Sequence, residues 1–161
     1  MKLLKLGVIS FVILFTVITL IGLLFPSKVI VSRAIDIAQT SDSVYILTKD
    51  LLGWKKWVQG LQNQNIASPT ETKLGNSTIT ITSSSPQKIT GKWIEKNGDI
   101  QNTTINLIST EQHQTIVNWQ FEQEIKWYPW ARLSSMVNEN VIGKMMEDNL
   151  AILKKSVENQ K

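Results

Sequence analysis

The stretch TIVNWQFEQEIKWYPWARL, residues 115–133, decides the fold. Val117, Trp119 and Phe121 share one parity, and Asn118, Gln120, Glu122 and Glu124 share the other. Successive side chains of a strand point to opposite faces, so this is a strand with one apolar, aromatic face and one wet face. Pro129 stops it, because proline cannot donate to a ladder. Beyond the proline the spacing turns helical, from about 131 to 157. Leu133, Val137, Val141 and Met145 form one stripe; Ile142, Met146, Leu150, Leu153 and Val157 form an adjoining one. A helix striped in this way must bury its apolar face, and the apolar side of a sheet is the available partner. Gly143 sits mid-helix at a cost of about 1 kcal/mol relative to alanine. It points to a kink or to a close approach to the sheet.

The residues upstream supply the rest of that sheet. Ile105 and Leu107 share a parity, as do Ile89, Gly91 and Trp93, and as do Ile79 and Ile81. Turn residues separate these runs: Gly75-Asn76, Pro86, Lys96-Asn97-Gly98-Asp99 and Glu111-Gln112-His113. Gly75-Asn76 between 70–74 and 77–82 is a two-residue hairpin signal. Sequential strands joined by short turns make an antiparallel meander. Further back, Val29, Val31, Ile35 and Ile37 alternate with Ile30, Ser32, Ala34 and Asp36 and read as a first strand. Arg33 falls on the apolar parity there, where it has to pair, snorkel or sit near a sheet end. Thr40-Ser41-Asp42-Ser43 offers N-cap residues, and Val44, Ile46, Leu47, Leu51 and Leu52 follow at helical spacing. Gly53 is expected to break that helix. Trp54, Trp57, Val58 and Leu61 fit a second short one ending near Gly60, and 63–69 reads as a loop.

Residues 6–25 carry no charge. As a helix they span about 30 Å, the thickness of a bilayer's hydrocarbon core. The hydroxyls of Ser10, Thr16 and Thr19 can bond back to their own helix. A signal peptide has a shorter apolar run and a small-x-small cleavage site, which Leu-Leu-Phe-Pro-Ser-Lys does not offer. The expected organisation is a single-pass transmembrane anchor at 1–26 and one domain at 27–161. Lys2 and Lys5 before the apolar run, against Lys28 and Arg33 after it, favour a cytoplasmic N-terminus by a narrow margin. The domain is therefore expected on the non-cytoplasmic side. The chain has a net charge of +4 from 17 basic and 13 acidic residues. Two of those basic residues precede the anchor, and the others are dispersed, so no nucleic-acid patch is expected. With no cysteine and one histidine, a thiol nucleophile, lipid acylation and a typical zinc site are excluded.

The order strand, two short helices, antiparallel meander, long C-terminal helix resembles the START-like, or Bet v 1-like, helix-grip superfamily, whose members include polyketide cyclase-like proteins. Four stretches carry the resemblance. KVIVSRAIDI (28–37) is similar to the family's first strand. SDSVYILTKDLLGWKKW (41–57) is similar to its first helix followed by a tryptophan pair. TIVNWQFEQEIKWYPWARL (115–133) is similar to its last strand and the entry to the grip helix, and VIGKMMEDNLAILKKSVE (141–158) to the grip helix itself. The resemblance extends to membrane-anchored members and implies an α+β helix-grip fold. In such a fold a curved antiparallel sheet wraps a long C-terminal helix, here preceded by a transmembrane helix. The family typically has seven strands, and six are countable here. The polar stretch between Trp57 and Ser77 lacks the aromatic, glycine-rich strand that usually follows the helices.

The resemblance also implies a cavity between sheet and helix that binds or shuttles a lipophilic small molecule or lipid. The residues expected to line it are Ile79, Ile81, Ile89, Trp93, Ile105, Leu107, Val117, Trp119 and Phe121 from the sheet, with Val141, Met145 and Met146 from the helix. The plainer reading of each is core packing. Met136, Met145 and Met146 suit a shape-tolerant lining. Trp54 and Trp57 read as packing against the sheet edge. Trp127, Tyr128 and Trp130 around Pro129 suit either the end of the grip or lipid headgroups. A cyclase-like enzyme using the same cavity is the rival class. The inventory weighs against it: His113 stands in a turn, Glu122 and Glu124 lie on the wet face, and no phosphate-binding glycine loop is present. No cofactor, metal or catalytic residue is expected. A third class is a tethered protein-interaction module, with 62–65 and the polar hairpins as its surface. The sequence names no protein partner.

Overall fold

The computed structural model describes residues 2–23, 27–126 and 129–159, with side chains apart from 2–3, 23 and 129–138. In chain order the elements are α1 (Lys2–Leu23), β1 (Lys28–Ile37), α2 (Ser41–Thr48) and α3 (Leu51–Trp54). They continue with β2 (Glu71–Leu74), β3 (Ser77–Ser84), β4 (Lys88–Glu95), β5 (Ile100–Ser109), β6 (Thr115–Glu124) and α4 (Pro129–Glu158). This is the α+β arrangement the patterning predicts, with six strands in one antiparallel curved sheet.

The strand order is β1-β6-β5-β4-β3-β2, so the first strand closes the sheet beside the last. Val31 pairs with Phe121 and Ile35 with Val117 across that seam. The ladder runs one step further, where the Ile125 N–H donates to the Ser27 carbonyl at 2.7 Å. Between β3 and β4 the register shifts at Ile81/Ser83, a bulge that follows Gly91 facing Ile81. Gly91 is required there: a Cβ would stand 2.7 Å from the Thr80 carbonyl oxygen.

α4 packs over the inner face of the sheet, chiefly against β1. Its buried stripe is Met146, Leu150, Leu153 and Val157. Val141, on the other stripe, is 65% exposed, which corrects its expected place against the sheet, whereas Met145 of that stripe is half-buried against the core. Adjoining stripes on one helix differ in direction, and only one of them can point at a flat partner. Arg33, on the inward parity of β1, is satisfied by α4. Its Nε donates to Glu147 Oε1 at 2.7 Å, and its guanidinium lies under Gly143, where a side chain would collide with it. The close approach expected at Gly143 is therefore to an arginine projecting from the sheet.

The helix break falls earlier than Gly53. Asp50 caps α3, its Oδ1 accepting from the Gly53 N–H at 2.7 Å. Gly53 is inside α3 for a different reason, since a Cβ there would stand 2.6 Å from the Leu47 carbonyl oxygen. That tight crossing lets two indoles use α2's last carbonyls: Trp54 Nε1 donates to Thr48 O at 2.7 Å and Trp57 Nε1 to Leu47 O at 2.9 Å. Both rings meet Trp119 edge-on, at centroid distances of 6.3 and 5.3 Å. Through Trp119 this tryptophan cluster ties α3 and the segment after it to the inner face of the sheet.

α1 is apolar along its length, with a mean hydropathy of 2.5 over Leu4–Gly22. Thr16 and Thr19 bond back to the carbonyls of Val12 and Phe15, at 2.8 and 2.7 Å. Its length and composition suit a membrane span or a signal sequence.

Candidate ligand cleft at the open end of the sheet

The inner face of the sheet is not uniform along the strands. Toward α2 and α3 it is full: Ile79, Ile89, Ile105, Leu107, Val117, Trp119 and Met146 are buried, with Ile81 close to it. Phe121 and Trp93 lie toward the other end, their rings edge-on at 5.3 Å. Met145 is half-buried beside this core. The side chains of Met136 and Trp130, together with Trp127 and Tyr128, lie outside the described residues.

At the end away from the tryptophan cluster a narrow cleft opens between the sheet and α4. Val29 and Val31 of β1, Phe121 and Gln123 of β6, Ile125, and Gln101 of β5 form one wall. Glu139 and Ile142 of α4 form the other. The parity that buries Ile105 and Phe121 also points Gln101 and Gln123 inward, so amides replace apolar groups where the strands run out. Gln101 Nε2 donates to Glu95 Oε1 at 3.1 Å. The cleft is thus apolar inside and polar at its rim, as ligand sites commonly are. Its free volume is about 10 Å³, room for roughly one water and far below the roughly 300 Å³ of a typical small-molecule pocket.

Behind Phe121 of this cleft one buried polar atom has no partner among the described residues. Trp93 is 8% exposed, and its indole N–H is buried with no hydrogen bond. Trp54, Trp57 and Trp119 all have theirs, the last to Thr103 Oγ1 at 2.8 Å. A buried donor left unpaired costs about 1–3 kcal/mol, so this one is unlike its neighbours.

The other groups weighed for chemistry stay apart. His113 occupies a turn with φ of 58° and is exposed. Glu122 pairs with Lys28 at 2.6 Å on the outer face, and hydrogen bonding to Glu122 raises the Lys28 pKa above its ordinary value. Asp99 pairs with Lys126 at 2.9 Å. Among the described residues no three His, Asp or Glu side chains stand together as a metal site.

Sequence reasoning pointed to the middle of the sheet and passed over Val29, Val31, Gln101, Gln123, Ile125, Glu139 and Ile142. The signal was available for the first five, since each continues an apolar parity to its strand end. Glu139 could not be assigned without knowing which way α4 faces.

No protein-family model matches the chain, and no curated protein sequence does. Solved structures do match. The Zhui aromatase/cyclase from Streptomyces sp. R1128 superposes with a TM-score of 0.63 at 14% identity, over 83% of this chain and 95% of that one. A START superfamily protein from Mycobacterium smegmatis gives 0.60 at 15% identity, over 82% and 99%. The chain has the START-like, Bet v 1-like fold. DynU16, from the dynemicin biosynthetic locus, gives 0.59 at 12% identity, and the match covers 82% of this chain but 48% of that one. At these identities the shared property is the helix-grip architecture, with the sheet curved about the C-terminal helix.

Proposed function

We propose that this domain binds a lipophilic small molecule or lipid in the cleft between β1, β6 and α4, and that α1 anchors it to a membrane by a single pass. The observation that carries the reading is the indole N–H of Trp93, without a partner among the described residues, whose ring meets the cleft-lining Phe121 edge-on. A ligand with an oxygen acceptor and an apolar body would satisfy both. The free volume of about 10 Å³ is that of the closed form, and binding has to widen it. The domain lies on the non-cytoplasmic side in this reading, on the slender charge difference across the apolar run.

The test uses the full chain in amphipol, titrated with a dansylated fatty acid and followed by energy transfer from tryptophan. Saturable transfer is expected, weakened at least tenfold by Ile142→Trp, which fills the cleft from the half-buried helix side. Near-UV circular dichroism checks that the variant is folded. Trp93→Phe gives a second measure and should weaken binding several-fold. Transfer that never saturates, or that both variants leave unchanged, overturns the reading.

A second reading rests on how full the remaining core is. Trp54, Trp57, Ile79, Val117 and Trp119 are all at 0% exposure. If no probe saturates, the domain is better read as an interaction module on a membrane tether.

A further inference from the structure

The two edge strands of the sheet are protected in different ways. β2 is four residues long and carries Glu71 and Lys73, so it offers an incoming strand little to pair with. β1, at the other edge, is ten residues long. The ladder shows which of its backbone groups face outward. The Ile125 N–H bonds to the Ser27 carbonyl, one step beyond the Lys28–Glu124 pair. Antiparallel partners alternate between bonded and unbonded pairs, so the odd-numbered residues of β1 bond to β6. The N–H and C=O groups of Lys28, Ile30, Ser32, Ala34 and Asp36 therefore point to the free edge. The far side of β6 agrees: the Thr110 N–H bonds to the Gln114 carbonyl, which commits the even-numbered residues of β6 to β5.

Two side chains block that edge. Arg33 Nη1 donates to the Ser32 carbonyl oxygen at 2.8 Å, while its Nε is held by Glu147 Oε1 at 2.7 Å. Just past the end of the strand, Glu158 Oε1 accepts from the Ala38 N–H at 2.9 Å. A guanidinium near the middle of β1 stands in the way of any backbone that comes alongside. The strand is otherwise complementary to a copy of itself. An antiparallel pairing of two β1 strands centred on Ser32 sets Ile30 opposite Ala34 and Lys28 opposite Asp36. Ile30 is 55% exposed, and Lys28, Ala34 and Asp36 are exposed as well. Opposite charges directly across a ladder favour a pairing and like charges oppose it. Moving the centre to Ile30 or to Ala34 loses the match between Lys28 and Asp36. Lys28 already pairs with Glu122 at 2.6 Å, and an ammonium has further donors.

We infer that Arg33 keeps the free edge of β1 closed to strand addition, and that the partner it holds off is β1 of a second copy of this chain. The pairing is isologous, because the same residues serve on both sides. Glu147 steadies the guanidinium, but the group that closes the edge is the Nη1 donor on Ser32. Neither the cleft nor any ligand enters this pairing.

The chain has no cysteine, so a single introduced thiol reports a single contact. Ser32→Cys puts that thiol at the position that faces itself in the pairing, where strand partners lie within disulfide reach. The full chain carrying it is oxidised in detergent micelles, with Arg33 native or with Arg33→Met, which keeps an unbranched stem and removes the donor. Disulfide dimer is expected to form at least about tenfold faster with Arg33→Met, roughly the worth of one hydrogen bond. Adding Asp36→Lys should slow it again, because Lys28 then meets a like charge. Glu147→Gln, which loosens the tie to α4 and leaves the donor on Ser32, should keep the native rate. Gln112→Cys at the far turn, the control thiol, should not respond to Arg33→Met. Equal rates with and without Arg33→Met overturn the inference. So does equal acceleration by Glu147→Gln or at the control thiol, since a loosened domain then explains the contact. Acceleration that ignores Asp36→Lys overturns the pairing of one β1 with another. Near-UV circular dichroism checks each variant, and Arg33→Ala replaces Arg33→Met, with the same expectations, if the methionine variant does not fold.

Discussion

The guanidinium of Arg33 occupies the space that a side chain at Gly143 would fill, and its Nε holds Glu147 at 2.7 Å. An arginine on an inward parity and a glycine in the middle of a helix are each unfavourable alone. Together they form one joint between β1 and α4. Alanine at 143 gains about 1 kcal/mol of helix propensity but displaces the guanidinium. The Arg33–Glu147 pair is partly exposed and contributes at most about 1 kcal/mol.

Gly143→Ala should therefore be close to neutral or mildly destabilising in the native chain. In an Arg33→Ala background the same change should stabilise by about 0.5–1 kcal/mol. A double-mutant cycle on thermal midpoints should give a coupling of at least about 0.5 kcal/mol. Strict additivity would mean that the two residues do not share this space.

Gly53→Ala should behave differently, although it too adds a helix-favouring residue. Its obstacle is the Leu47 carbonyl at 2.6 Å, which is backbone and cannot rotate away. The expected loss is about 1–3 kcal/mol, as for other overpacked cores. Near-UV circular dichroism should report disturbed indoles, because Trp57 Nε1 uses that same carbonyl. A stabilised variant with an unchanged spectrum would contradict the tight crossing.

Trp93→Phe and Trp119→Phe remove the same atoms from two buried tryptophans. Trp119 loses a 2.8 Å hydrogen bond and strands the Thr103 hydroxyl, whereas Trp93 loses a donor that has no partner. Trp119→Phe should cost about 1–3 kcal/mol more than Trp93→Phe. Urea midpoints of the two variants decide it, and equal losses would mean that the Trp93 N–H is satisfied in solution.

Lys28 should titrate above its ordinary value, because hydrogen bonding and charge from Glu122 favour the ammonium. The folded state binds that proton more tightly than the unfolded state does. The pair's contribution is thus fully present below the ordinary lysine pKa of 10.5 and is lost as pH rises through the folded value. Glu122→Gln should move the Lys28 side-chain NMR titration back down. An unmoved titration would show that the 2.6 Å pair does not persist in solution.

Much of this architecture is legible in the sequence because it is written in period two. Val117, Trp119 and Phe121 against Asn118, Gln120 and Glu122 leave no other reading, and the Gly75-Asn76 turn fixes its hairpin. What escaped was tertiary. Both stripes of α4 are apolar, and the sheet selects the one through Met146, turning Val141 to solvent. Gly53 looks like a helix breaker, while the actual break belongs to Asp50, whose carboxylate caps α3. The bulge at Ile81/Ser83 is silent because Thr82, Ser83 and Ser84 are all polar, so a change of parity leaves no trace. The joint between Arg33 and Gly143 needs both elements in place before either residue makes sense. The cleft follows the same pattern. Its apolar walls continue visible alternations, but the orphan indole of Trp93 shows only against Trp54, Trp57 and Trp119, whose indoles each have an acceptor.

The seam between β1 and β6 has a consequence for how the chain is made. β1 sits at the edge of the sheet, and its one ladder neighbour is the last strand to be synthesised. While residues 38–114 are emerging, β1 stands beside α1 with neither of its backbone edges bonded. Such long-range pairing is slow to form, and unpaired β-branched strands are prone to join other chains. A nascent chain arrested before Glu124 would hold this strand unpaired, open to the same strand of a neighbouring copy. Crowding of incomplete chains, more than any weakness of the finished domain, is then the hazard that this topology brings to its own biogenesis.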